Sequence, residues 1–174
     1  MVLVHLIGVQ IPVPEQIYKI PLFVVFLFYK ITKDMEIKSK LIVIGLVENE
    51  NHEFLVCQRY EPELPEVHLK WDLPGGTNEF GENLEDTLER EFLEETGLQV
   101  KITSFMPKTI SKTWDYPNHK QHTLVLCFYC SLISGSLNLN DHKINDLKWI
   151  PKEQFVDLDF LQTTQSFIDI IMEK

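Results

Sequence analysis

Gly76 to Leu98 reads G-T-N-E-F-G-E-N-L-E-D-T-L-E-R-E-F-L-E-E-T-G-L. Eight acids (Glu79, Glu82, Glu85, Asp86, Glu89, Glu91, Glu94 and Glu95) stand there against one base, Arg90. That is seven of the chain's net ten negative charges. So acidic a run is either a solvated helix face or a cation site. Leu84 and Leu88 set an apolar line, Asn83 before it has N-cap chemistry, and Gly97 stands where helices stop. At about 100° per residue, Glu91 and Glu95 fall within roughly 20° of Leu84, and Glu94 roughly 80° to one side. These three carboxylates therefore continue the inward face, where an ionised group is costly unless paired or bound to metal. Glu85, Asp86 and Glu89 point away and fit a solvated face.

Spacing sharpens the cation reading. Glu91, Glu94 and Glu95 are at i, i+3 and i+4, so their oxygens can converge on one hard cation. Arg90, four residues before Glu94, is placed to pin that carboxylate with a charge-assisted bond. Leu73-Pro74-Gly75-Gly76 can turn the backbone tightly and bring a bare carbonyl to the same ion. Oxygen-only sites of this kind suit Mg²⁺ or Mn²⁺ bridging to substrate phosphates.

The segment resembles the Nudix box, G-x5-E-x7-R-E-U-x-E-E-x-G-U with U bulky and aliphatic. Gly76, Glu82, Arg90, Glu91, Glu94, Glu95 and Gly97 fall in register, with Leu98 at the last U. Phe92 departs from the pattern, an aromatic at an aliphatic position. The resemblance implies an α/β chain with the Nudix fold, a mixed β-sheet sandwiched between α-helices. It implies hydrolysis of a nucleoside diphosphate linked to another moiety. Metal would be held by Glu91, Glu94, Glu95 and the Gly75 carbonyl, with Glu82 supporting the cluster and Arg90 orienting it. Either Glu94 or Asp141 is the expected base, Asp141 standing on a late loop where Nudix enzymes often carry a further carboxylate. A base at the position of Arg59 often meets substrate phosphate in Nudix enzymes; the bland alternative is a surface salt bridge. The favoured substrate is a nucleoside triphosphate, oxidised ones included, cleaved to monophosphate plus diphosphate. ADP-ribose, nucleotide sugars and dinucleoside polyphosphates are the alternatives, Tyr116 lying 18 residues past the box at a position associated with the last of these. A Nudix scaffold that binds nucleotide without cleaving it is the competing class.

The rest of the chain supports a single enzyme domain. At 174 residues, 44% apolar and 24% charged, it has the composition of a soluble globular protein with a real core. A pI near 5.0 argues against an electrostatic nucleic-acid binder, leaving a small nucleotide as the expected partner. Cys127 and Cys130 form C-x-x-C inside a strand-like run, where residues three apart face opposite sides, so core cysteines of a cytoplasmic protein are expected. Residues 1–34 are an apolar extension ahead of a 35–174 catalytic domain. Neither of its apolar runs nears the ~20 residues needed to span a bilayer. An added strand pair, an interfacial anchor through residues 20–29, and an upstream extension with translation starting at Met35 are its three readings, the last favoured. Lys40–Val47 and Glu53–Arg59 read as a strand pair joined by Glu48–His52. Gln99–Phe105 and Gln121–Leu132 read as strands, with a turn centred on Pro117-Asn118. Trp114 and Tyr116 flank that turn, placed to stack on a nucleobase or to cover a core edge. Leu147–Ile150 is a short strand, Phe160–Met172 carries an apolar stripe of helical period, and a monomer or homodimer is expected.

Overall fold

Leu41 to Val47 is apolar without alternation, the pattern of a strand covered on both faces. In the computed structural model, which describes residues 3–6, 9–12, 36–116, 119–139 and 141–173, it forms the inner half of β3, Glu36–Val47. Val43 and Val47 pack in one cluster with Leu88 and Phe92, while Ile44 and Leu46 pack in another with Phe167, Ile168 and Ile171. The helices supplying those partners are α1, Leu84–Thr96, and α2, Gln162–Met172. Two hydrophobic cores thus lie back to back across β3, one under each helix.

The chain divides into two compact units, Met1–Glu36 and Ile37–Lys174. In the first, β1 (Leu3–Leu6) and β2 (Val9–Pro12) pair antiparallel, with Leu3 opposite Pro12. The expectations placed on residues 20–29 and Met35 lie outside the described residues. Among the described residues, no helix is long and apolar enough to cross a membrane.

In the second unit follow β4 (Glu53–Arg59), β5 (Trp71–Asp72), β6 (Gly75–Thr77), β7 (Leu98–Asp115), β8 (His119–Gly135) and β9 (Ile144–Pro151). They form a four-stranded sheet in the order β6-β3-β8-β7 and a three-stranded sheet in the order β5-β4-β9. The ladders β3–β6, β4–β5, β4–β9 and β7–β8 are antiparallel, and a parallel bridge joins Trp71 to Phe160. This is the expected mixed sheet structure between helices. One expectation is corrected. β3 and β4 do not stay paired: a bridge between Glu48 and Phe54 and an Asn49 N–H to the Glu53 carbonyl (2.9 Å) close the turn, and the strands then part into different sheets.

The second hairpin is longer than read. β7 runs on past Phe105 to Asp115, and the ladder absorbs Pro107, which has no N–H to donate, in a register shift between Phe105 and Thr109. Met106 is fully buried there, anchoring the strand across the irregularity. Cys127 packs toward α2 and Cys130 toward α1; both are buried free thiols, as is Cys57.

Candidate active site

Asn83 caps α1 by accepting the Asp86 N–H on its side chain at 2.7 Å, and Gly97 ends it at φ 73°, a left-handed conformation that glycine adopts without Cβ strain. Between them the helix presents the box acids unequally. Glu95 is 6% exposed and its carboxylate accepts the Gly75 N–H at 3.1 Å. Glu91 lies against Gly76 so closely that a Cβ there would stand 2.2 Å from its carboxyl carbon. Glu94, by contrast, has a side chain 58% exposed. Glu85, Asp86 and Glu89 face solvent. Glu94 thus departs from the inward face read from the sequence, lying far enough round the helix to reach solvent, while Glu95 is buried and Glu91 half-buried.

Arg90 ties the box together. Its Nε donates to Glu82 Oε1 at 2.8 Å and its Nη2 to Glu82 Oε2 at 3.0 Å, a fork on one carboxylate. Nη1 donates to Glu91 at 2.9 Å and stands 3.5 Å from Glu94, while Nη2 also reaches the Thr77 carbonyl at 3.2 Å. Glu82 further accepts from the Glu79 N–H and the Thr87 hydroxyl, and Asn78 donates to Thr87. Arg90 bonding, then these other donors, holds the Glu82 carboxyl down at about 2. Burial pushes Glu95 the other way, up to about 8; the neighbouring charges of Glu91 and Asp72 add to this, against the Gly75 N–H and Arg59.

On the α2 side of the four-stranded sheet lies an open cavity of about 690 Å³. Arg59, Trp114 and Tyr116, expected from separate segments to touch substrate, all line it. Lys38, Lys40 and Ile42 supply one wall, Gln121 and Thr123 another, and Thr77 the edge where the cavity meets the box. A register shift between Gln58 and Arg59 breaks the β4–β9 ladder beside this cavity, as bulges commonly do next to sites. Trp114 is 9% exposed with Lys112 Nζ 3.8 Å above its ring, and Tyr116 stacks on His119 at 4.3 Å.

Asp141 serves a turn: its Oδ1 accepts the Lys143 N–H at 2.8 Å and faces His142 at 3.2 Å, and its carbonyl accepts the Ile144 N–H. Its described contacts all stay within that turn, away from the box acids. Gly75 is tied to the box acids through its amide N–H, which donates to Glu95. Asp72 and Thr164 were missed. Asp72 is a buried carboxylate in the lining of the cavity, near enough to Glu95 to act on its charge, and the signal was an acid inside the apolar lead-in Trp71-Asp-Leu-Pro. Thr164 carries no such mark.

Among the described residues, no three His, Cys, Asp or Glu side chains converge closely enough to hold a metal ion as they stand. The donor chemistry nevertheless fits a hard cation. Glu91 and Glu95 offer oxygens alone, and burial of Glu95 outweighs the Gly75 N–H and Arg59 that favour its charged form.

The NUDIX domain family profile matches residues 38–169. The chain belongs to the Nudix family. It is a Nudix hydrolase, acting on phosphoanhydride bonds. Among its relatives, the nucleoside triphosphatase NudI of Escherichia coli O139:H28 is 28% identical over 134 residues, covering 74% of this chain and 93% of that one. The NAD-capped RNA hydrolase NudC of Actinobacillus succinogenes is 35% identical over 79 residues, 45% of this chain but 27% of its own length. The fold of this Nudix chain is shared with the MutT protein of Bacillus halodurans (TM-score 0.62, 20% identity, 78% of this chain and 83% of that one). It is shared equally with a MutT Nudix hydrolase from Burkholderia pseudomallei (TM-score 0.61, 18% identity, 76% and 97%). In this Nudix chain the box departure Phe92 has a structural answer: its ring lies over Gly45, where a Cβ would stand 2.7 Å from the ring edge.

Proposed function

We propose that the protein is a divalent-cation-dependent pyrophosphohydrolase that converts a nucleoside triphosphate to a monophosphate and diphosphate. One observation carries this reading: the cavity holding Arg59, Trp114 and Tyr116 borders the box at Thr77, whose carbonyl accepts from Arg90. A nucleoside in the cavity therefore extends its phosphates toward the acids. The relative NudI, matched over nearly its whole length, is named a nucleoside triphosphatase, which supports a nucleoside triphosphate over the other candidate substrates.

Glu91, Glu94 and Glu95 are the residues to hold a cation of the Mg²⁺ or Mn²⁺ type. Bound there, such a cation supplies charge neutralisation at the diphosphate and orientation of the attacking water. Glu94, the exposed member, takes the water's proton; the water oxygen bonds to the α-phosphorus, and the bond to the bridging oxygen breaks to release diphosphate. Glu82 holds Arg90, and Arg90 holds Glu91 and Glu94 in reach of one another. Three free, buried thiols with no disulfide between them suit a reducing cytoplasm.

A screen over nucleoside triphosphates, ADP-ribose, nucleotide sugars and dinucleoside polyphosphates under Mg²⁺ and Mn²⁺, with products identified by mass, tests the reading. Glu94→Gln and Glu95→Gln are expected to lower kcat by about 100-fold or more in folded protein. Wild-type rates in both variants would overturn the site assignment. Tight nucleotide binding without turnover of any substrate would favour a binding module instead.

A further inference from the structure

Asp72 is a carboxylate 5% exposed, on a two-residue strand at the back of the cavity. A buried acid of this kind is costly unless its oxygens are filled. Its Oδ1 accepts the Leu73 N–H at 2.8 Å and the hydroxyl of Thr164, from the first turn of α2. Those two bonds fix the carboxylate plane and leave Oδ2 facing Arg59 Nη1 at 3.4 Å.

Arg59 is the unfinished half of this pair. Its backbone is clamped, the N–H donating to Lys70 and the carbonyl accepting from Leu69. Among the described residues its guanidinium meets a single acceptor, Asp72, and Nε is sealed from solvent with none. An N–H sealed from water without an acceptor is costly, and Nε is one. The side chain as a whole is 31% exposed and stands in the wall of an open cavity. Opposite it, on the same cavity, stand Lys40 and Thr77, the latter bonded to Arg90.

We infer that Asp72, anchored to α2 by Thr164, is a positioning residue that aims Arg59 at the phosphate oxygens of the bound nucleotide. The inference rests on the nucleotide reading above and adds to it the element that sets the arginine: α2, on the far side of the sheet from the box helix, holds the phosphate contact through one hydroxyl. Helix α2 packs on the core through Phe167, Ile168 and Ile171. Its placement is therefore rigid, and Asp72 inherits that rigidity.

The test is a double-mutant cycle on the full chain. Dissociation constants for a non-hydrolysable nucleoside triphosphate analogue and for the parent nucleoside are measured in wild type, Asp72→Asn, Arg59→Ala and the double variant. KM, kcat and Tm are measured beside them. Asp72→Asn is expected to weaken analogue binding and raise KM by about tenfold, with a much smaller change in kcat, the scale of a lost hydrogen bond to a charged group. In the Arg59→Ala background the same change is expected to have less than about a twofold effect, since coupled residues are non-additive. Nucleoside binding is expected to stay the same throughout. Thr164→Val should weaken analogue binding and Thr164→Ser restore it, and this pair carries the test if Asp72→Asn fails to fold. An equal loss in both backgrounds, or a loss shared by the phosphate-free nucleoside, would overturn the inference while leaving the nucleotide reading intact. Failure of the folded wild type to bind the analogue would overturn both.

Discussion

Glu95 has a folded-state carboxyl raised to about 8, by burial first, against an ordinary value of 4.5. Between those values the folded chain binds a proton that the unfolded chain has released. Stability of the metal-free protein therefore falls as pH rises from about 4.5 through about 8. Thermal melts of chelated protein should show Tm declining across that window, and Glu95→Gln, which cannot ionise, should flatten the decline. A divalent cation that takes the proton's place should raise Tm more at pH 8.5 than at pH 5. A metal-induced shift of equal size at both pH values would remove Glu95 from the ligand set. Glu82 behaves oppositely. Its carboxyl is held down at about 2 by Arg90, so that pair persists in acid long after ordinary carboxylates protonate.

At the scale of the element, α1 is seated by one complementary contact. The Phe92 ring fills the space above Gly45, and a Cβ at Gly45 would meet the ring edge at 2.7 Å and Cys130 Sγ at 3.1 Å. Both neighbours belong to the packed core and cannot give way freely. Gly45→Ala should therefore cost about 1–3 kcal/mol of stability by denaturant unfolding. Adding Phe92→Leu, which shortens the side chain toward the usual aliphatic, should recover part of that loss. If the two changes are simply additive, the contact does not seat the helix. The same helix positions Glu91 and Glu95, so Gly45→Ala is also expected to lower turnover, while Asn83→Ala should cost about 1 kcal/mol through the lost cap alone.

Over the whole molecule, the box and the cavity are built on different elements and meet through the substrate. Trp114 contributes to the cavity from the end of β7, while the acids come from α1 on the other core. Trp114→Ala should thus raise KM by about tenfold or more, the scale of one lost base–aromatic stack, with kcat changed far less. A variant that lost kcat and kept KM would mean that Trp114 acts through the fold and not through the nucleobase. Calorimetric Tm measured alongside separates a binding defect from partial unfolding, because Trp114 is 9% exposed.

The local features were legible in the chain. Asn83 as cap, Gly97 as stop, the inward turn of Glu91 and Glu95 and the outward turn of Glu85, Asp86 and Glu89 all follow from helical periodicity, which depends only on neighbours within a few residues. Strand alternation likewise put Cys127 and Cys130 on opposite faces. What periodicity cannot see is which distant groups share a space. The parting of β3 and β4 into two sheets was decided by competition from β6, β8, β5 and β9 for their hydrogen bonds. The bond from Thr164 to Asp72 spans 92 residues, and no spacing rule reaches that far. Sequence by itself determined the helix, its caps and the acids it carries. Only the tertiary structure decided which arginine, aspartate and threonine meet beside them, because burial and long-range contacts, not local geometry, set their partners.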